Sequence, residues 1–163
     1  QMNPPLRDKS HYDRLWYGVK NNLNDTIGSD HAPHLKKNKE KSYPNSPSGM
    51  PGVQTLLPVM LNHVNDEKLS LEQLMNSICE NPVKIFGIKG KGFIKENFDA
   101  DFTIVDMNKK IIIKNKNIES KCGWSPFDGF ELKGTPVSTI IAGQIKMRDG
   151  KILGEPEGKP VKF

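Results

Sequence analysis

Apolar residues follow two different rhythms along this chain, and the change falls near residue 90. Before it they recur at helix spacing: Leu15, Trp16 and Val19; then Val53, Leu56, Leu57, Met60 and Leu61; then Leu71, Leu74, Met75 and Ile78. Three helices are predicted, and local signals bound them. Ser10 reads as the first N-cap, with Asp13 three residues on, and Ser70-Leu71-Glu72-Gln73 is a capping box. Pro58 falls in the first turn or two of the second helix, where a missing N–H costs least. Pro82 disfavours helix in the residue before it, so the third helix should end by Asn81. Pro82 then suits the first position of one more short helix, Val83 to Phe86, closed by Gly87.

Between the first two helices, Thr26 to Asp30 is short, partly β-branched and Gly-bearing, as at the end of a buried strand. Residues 35–52 are polar, rich in Lys, Asn, Ser, Pro and Gly, and aperiodic. They read as a long loop, and long loops in compact domains are usually functional or disordered. From Gly90 onward short strands take over: Phe102 to Val105, Ile111 to Ile113, Thr139 to Ala142 and Ile145 to Met147. They are punctuated by Gly134, Gly143 and an Asp149-Gly150 hairpin turn. The expected organisation is α/β over residues 1–90 and β over 91–163, the latter a small β-sandwich or part of one.

Composition narrows the function classes. The net charge is +5, but residues 36–41, four lysines and one glutamate, supply +3 of it. A charge block with almost no aromatic neighbours reads as a solvated loop rather than a nucleic-acid surface. No apolar run approaches the ~20 residues needed to cross a bilayer. Cys79 and Cys122 are too few for a disulfide framework and have no metal-type spacing, so free thiols of a cytoplasmic protein are expected. The Gln1-Met2 start carries no leader and does not read as a natural N-terminus.

The densest chemistry lies in Ser29-Asp30-His31-Ala32-Pro33-His34, a carboxylate and two imidazoles where a strand end meets a loop. Such positions carry catalytic groups in α/β enzymes. Asp and neutral His suit Zn²⁺, although a capping aspartate beside two surface histidines would look the same by spacing alone. His11 and His63 sit on predicted helices without acidic or cysteine neighbours and read as ordinary helix residues.

Asp30-His31-Ala32-Pro33-His34, preceded by Ile27-Gly28-Ser29, resembles the signature of dihydroorotases in the cyclic amidohydrolase superfamily. Further segments follow in the same order: Asn3-Pro4-Pro5-Leu6-Arg7, Pro47 to Val53, Asn81-Pro82 with Phe86-Gly87, Asp99-Ala100-Asp101 and Trp124-Ser125-Pro126-Phe127. The resemblance implies a C-terminal fragment of a (β/α)8 TIM-like barrel followed by part of a composite β-sandwich. Residues 1–90 would form the last two βα units, with an active-site loop at 35–52, and residues 91–163 the sandwich part. It implies a zinc-dependent cyclic amidase interconverting L-dihydroorotate and N-carbamoyl-L-aspartate in pyrimidine synthesis. Asp30 would be a metal ligand and the general base, then acid. His34 and Asn3 would bind the substrate, and Ser48 and Gly49 would add loop backbone contacts. His31 reads as structural. A homodimer and an aspartate transcarbamoylase partner are implied for the full-length enzyme.

The family holds its metals mainly through a His-x-His, a carboxylated lysine and further histidines, and this sequence contains no His-x-His. A complete barrel takes ~250 residues, so 163 residues should be part of one and inactive alone. Two alternatives stand beside this reading. One is another cyclic amidohydrolase, of the dihydropyrimidinase, hydantoinase or allantoinase type. The other is a catalytically dead dihydroorotase-like scaffold that binds aspartate transcarbamoylase.

Overall fold

The computed structural model describes residues 1–163. The first helical segment starts two residues earlier than Ser10 implies. The Asp8 carboxylate accepts from the Ser10 N–H at 2.9 Å and caps a 3-10 turn, Lys9–His11, which runs into α1, Tyr12–Lys20. A short acid two residues ahead of a free N–H caps as well as a serine does, and Ser10 ends up inside the turn.

Residues 26–30 do not form a strand. A strand exists only through lateral partners, and this segment has few: Ile27 N–H donates to the Ser77 carbonyl at 3.1 Å. One parallel bridge follows at His31 and Met50. Nor is the segment buried, since Thr26, Gly28 and Asp30 are exposed. The 35–52 loop contains one short helix, α2, Lys36–Lys39.

Helix α3, Leu56–Asn65, places Pro58 third, as its spacing requires. Met60 and Leu61 on its inner side join Leu69 and Leu74 in a small core. Leu61 is 1% exposed and Leu74 fully buried; each such burial contributes about 1.5–3 kcal/mol. Trp16, Ile27, Val105 and Met107 pack around them, so α1, α3 and the sheet share this core.

Helix α4, Leu71–Met75, opens on the predicted box: Ser70 Oγ accepts from Gln73 N–H at 3.0 Å, and Gln73 Oε1 accepts from Ser70 N–H at 2.9 Å. The expected stop before Pro82 does not occur. A π-helical turn, Asn76–Glu80, carries the chain straight into α5, Asn81–Phe86, and the Asn81 N–H reaches five residues back to the Asn76 carbonyl. Widening the turn opens the ladder where the proline ring would otherwise strike a carbonyl. Gly87, at φ 66°, ends α5 in the left-handed region as expected.

The β part is one antiparallel four-stranded sheet in the order β1, Phe102–Ile112; β2, Glu131–Ile141; β3, Gln144–Arg148; β4, Lys151–Ile152. Two predicted strands, 102–105 and 111–113, belong largely to β1 alone. A bulge between Asp106 and Lys110 separates them, and there Asp106 Oδ1 accepts from the Asn108 and Lys109 N–H groups. Tight hairpins at Ala142-Gly143 and Asp149-Gly150 have positive φ at both central residues, which matches the sheet's twist. A sandwich needs two facing sheets, and this chain builds one.

Helix α3 lies directly on β2. Its Asn65 amide donates to the Met107 and Lys133 carbonyls, both at 3.0 Å, and Asn62 Oδ1 accepts from the Lys133 N–H at 2.8 Å. The bulge leaves the Met107 carbonyl without a ladder partner, and Asn65 supplies one.

Candidate active site

Two extended segments, residues 28–34 and 47–52, run side by side. The His31–Met50 bridge is extended by Ala32 N–H donating to the Met50 carbonyl at 2.9 Å. Glycine permits this approach: a Cβ on Gly49, at φ 104°, would lie 2.5 Å from the Ala32 Cβ, and one on Gly52 would lie 2.6 Å from the Ser29 carbonyl oxygen. The glycines of the Pro-Ser-Gly-Met-Pro-Gly run therefore seat the loop on the Asp30 segment.

His31 Nδ1 accepts from the Gly52 N–H at 3.1 Å and, more weakly, the Val53 N–H at 3.4 Å. In the neutral ring that leaves the proton on Nε2, with no lone pair there for a metal. The imidazole fastens the loop, in keeping with a structural role. Asp30 is exposed and sits at φ 41°, a left-handed conformation that aspartate tolerates better than most residues.

His34 is held from both sides. Its N–H donates to the Ala32 carbonyl at 2.9 Å, across Pro33, and its own carbonyl accepts from Trp124 Nε1 at 2.8 Å. Its imidazole makes no hydrogen bond within the chain and is half-buried. Ser48 Oγ is buried without a hydrogen-bond partner, which ordinarily costs about 1–3 kcal/mol. The Gly49 N–H, in contrast, is already engaged, donating to the Gln1 carbonyl at 3.1 Å.

That contact ties the N-terminal segment to the loop. The Gln1 carbonyl also accepts from Lys39 Nζ at 3.0 Å, and the same ammonium donates to the Pro47 carbonyl at 2.7 Å. Ser46 Oγ, buried, donates to the Lys39 carbonyl at 3.0 Å. Asp30, His34, Ser48 and Gly49 thus lie on the paired segments. Asn3, exposed, is only two residues from the Gln1 tether and makes no hydrogen bond to any of them. The charge block divides: Lys36, Lys37 and Lys41 are exposed, whereas Lys39 is a backbone clamp.

Three contributors have a role that the sequence pattern does not reveal, although Trp124 falls in one of the resembling segments. Lys39 looked like any lysine of a polar run. Trp124 reaches His34 across 90 residues of chain. Gln54 holds the Asn117 carbonyl and the Glu119 N–H at 2.8 and 2.9 Å with one amide. Beneath the paired segments, a cavity of about 100 Å³ is lined by Ser29, Met50, Gly52, Thr55 and Phe127, among others.

No group of three or more His, Cys, Asp or Glu side chains in this chain is arranged so that it could hold a metal ion. Asp30 can offer one carboxylate ligand; the chain alone does not make a metal site.

Several known proteins are similar to this chain over nearly its whole length. The chain is 39% identical over 161 residues to the dihydroorotase of Pyrococcus furiosus, covering 99% of this chain and 37% of that protein. With the dihydroorotase of Methanothermobacter thermautotrophicus it shares 38% identity over 153 residues, 94% of this chain and 35% of that one. Among solved structures, the L-hydantoinase (dihydropyrimidinase) of Arthrobacter aurescens superposes with a TM-score of 0.91 at 38% identity. That match covers 95% of this chain and 36% of the hydantoinase. The chain therefore spans a little over a third of the length of these relatives. The model of the amidohydrolase family matches residues 5–146, and on that match the chain belongs to the amidohydrolase family.

Proposed function

We propose that this chain is the C-terminal part of a dihydroorotase that interconverts L-dihydroorotate and N-carbamoyl-L-aspartate in pyrimidine synthesis. The observation that carries the reading is the Asp30–His34 segment, seated against the Pro47–Gly52 loop with the Asp30 carboxylate and the His34 imidazole both left free of the fold. On this reading residues 1–90 are the last two βα units of a (β/α)8 barrel, and residues 91–163 are part of a sandwich whose other sheet comes from elsewhere in the polypeptide. Exposed Leu6, Leu15 and Leu23, at 80%, 64% and 71%, suit surfaces that further chain or a second copy covers. A homodimer and an aspartate transcarbamoylase partner belong to the same proposal.

Opening dihydroorotate requires water to attack an unactivated ring amide. Zinc, held by Asp30 together with ligands outside this chain, would supply the acidity that brings water to hydroxide near neutral pH. Asp30 takes the proton of the attacking water and returns it to the departing amide nitrogen. His34 and Asn3 receive the substrate's carboxylate, where hydrogen bonds to charge are stronger than neutral ones. Ser48 and Gly49 add backbone contacts from the loop.

A second reading, a hydantoinase-type enzyme, draws on the 0.91 superposition with the Arthrobacter L-hydantoinase. Rates of carbamoyl-aspartate cyclisation and hydantoin opening by the intact polypeptide separate the two. The proposal expects the first to dominate, and dominance of the second reverses the assignment. Activity on neither favours the scaffold alternative.

A further inference from the structure

Residues 113–130 form a closed loop with its own internal frame. Its ends are joined where the Ile113 N–H donates to the Phe130 carbonyl at 3.0 Å and the Gly129 N–H to the Ile113 carbonyl at 2.8 Å. Inside it, Asp128 accepts from the Asn115 N–H and side-chain amide at 2.8 and 2.9 Å, and Asn115 Oδ1 accepts from the Ser125 N–H at 2.8 Å. The neighbouring Cys122 thiol points back at the Trp124 carbonyl at 3.6 Å. Such cross-bracing makes an Ω-loop a rigid body rather than a tether. Gln54 docks one side of it through Asn117 and Glu119. The other side docks through a single directed contact, the Trp124 indole N–H on the His34 carbonyl.

We propose that Trp124 is a positioning residue for His34, aiming its imidazole at the substrate by fixing the peptide plane that follows it. This rests on the proposed role of His34 in substrate binding. Two hydrogen bonds hold the backbone on either side of the His34 Cα: Ala32 restrains the preceding peptide and Trp124 the following one. The ring itself is held by no hydrogen bond, so the backbone restraints act on it by fixing the Cα–Cβ direction and the rotamers open to it. Of the two restraints, the Ala32 contact is local to the Pro33 turn. Only the Trp124 contact refers His34 to a separate rigid body, one also locked to Gln54 at the N-terminal edge of α3. The indole N–H is engaged by the His34 carbonyl, so on this proposal its effect passes through His34.

The test is a double-mutant cycle in the intact polypeptide. Trp124→Phe keeps the ring and removes the N–H; it should raise the KM for carbamoyl-aspartate by about 2- to 10-fold, with kcat within about twofold. In a His34→Ala background the same change should leave KM unaltered. An equal KM rise in both backgrounds, or a fall in kcat alone, overturns the proposal. A readout without substrate separates this claim from the functional one. The His34 ring resonances, assigned by their loss in His34→Ala, should shift or broaden in Trp124→Phe, and unchanged resonances overturn positioning whatever the enzyme turns over. A wild type that opens hydantoin and not dihydroorotate overturns the functional reading alone, and the cycle is then run on hydantoin. If Trp124→Phe does not fold, Gln54→Ala, which frees the same loop from its other side, goes through the same cycle with the same expectations.

Discussion

Gly134 of β2 and Leu61 of α3 meet so closely that a Cβ on residue 134 would lie 2.9 Å from the Leu61 Cβ. Gly134 also sits at φ 97°, where an L side chain is strained. The helix can rest on the sheet only because this position has no side chain. Gly134→Ala should therefore destabilise by about 2–4 kcal/mol, through strain and the forced separation of helix and sheet. Urea unfolding measures it; a loss under about 0.5 kcal/mol would mean the two elements part easily.

Beside this contact, Asn65 serves carbonyls on two strands with one amide nitrogen. Asn65→Leu removes the donor from the half-buried Met107 and Lys133 carbonyls and should cost about 1–3 kcal/mol. The same unfolding experiment reads it, and the loss should be additive with that of a distant change such as Ser70→Ala at the α4 cap.

Acid should weaken this region through His63. Burial beside Trp16, whose ring centroid lies 4.9 Å away, pushes the His63 pKa below its usual 6.5; Lys68 adds to this, and Asp66 opposes it. The folded state thus disfavours the charged ring. Its contribution is fully present above pH 6.5 and is lost as pH falls from there through the lower folded value. Between pH 7.5 and 5, about the range spanning that titration, the thermal midpoint of the wild type should drop. In His63→Gln that part of the drop should vanish, and an identical drop in both proteins assigns the acid sensitivity elsewhere.

Zinc gives a direct check on how much of the site this chain holds. With Asp30 its one candidate ligand and no three-residue cluster of ligating side chains, the isolated 163-residue chain should retain well under one equivalent after equilibrium dialysis. Stoichiometric retention would show a metal site made from these residues alone.

The parts of the fold that local chemistry dictates were legible in the residues. Periodic leucines located α3 and α4, the Ser70–Gln73 box fixed the start of α4, and Gly87 fixed the end of α5. What depends on distant partners was not. Pro82 read as a stop because a π turn before it gives no one-dimensional signal. Residues 26–30 have the composition of a strand, but a strand needs neighbours, and the one bridge in this region falls just beyond them, at His31. The bulge that keeps 102–112 a single strand is visible only once Asn65 is seen to serve it.

The site divides in the same way. Asp30 and His34 announced themselves as adjacent chemistry-bearing residues at a turn, and Gly49 as part of a Gly/Pro run. Lys39 and Trp124 act through backbone carbonyls far along the chain, contacts that residue type alone does not encode. Ser48 was assigned for its backbone, whereas its buried hydroxyl is the group without a partner.

The most direct test of the account is turnover of L-dihydroorotate and N-carbamoyl-L-aspartate by the intact polypeptide and its Asp30→Asn variant, with folding of both verified by circular dichroism. The account predicts reversible interconversion by the wild type and a loss of about 10³-fold or more in kcat for Asp30→Asn, as expected when a group that moves the reacting proton is removed. A folded Asp30→Asn variant within about tenfold of the wild type would contradict it.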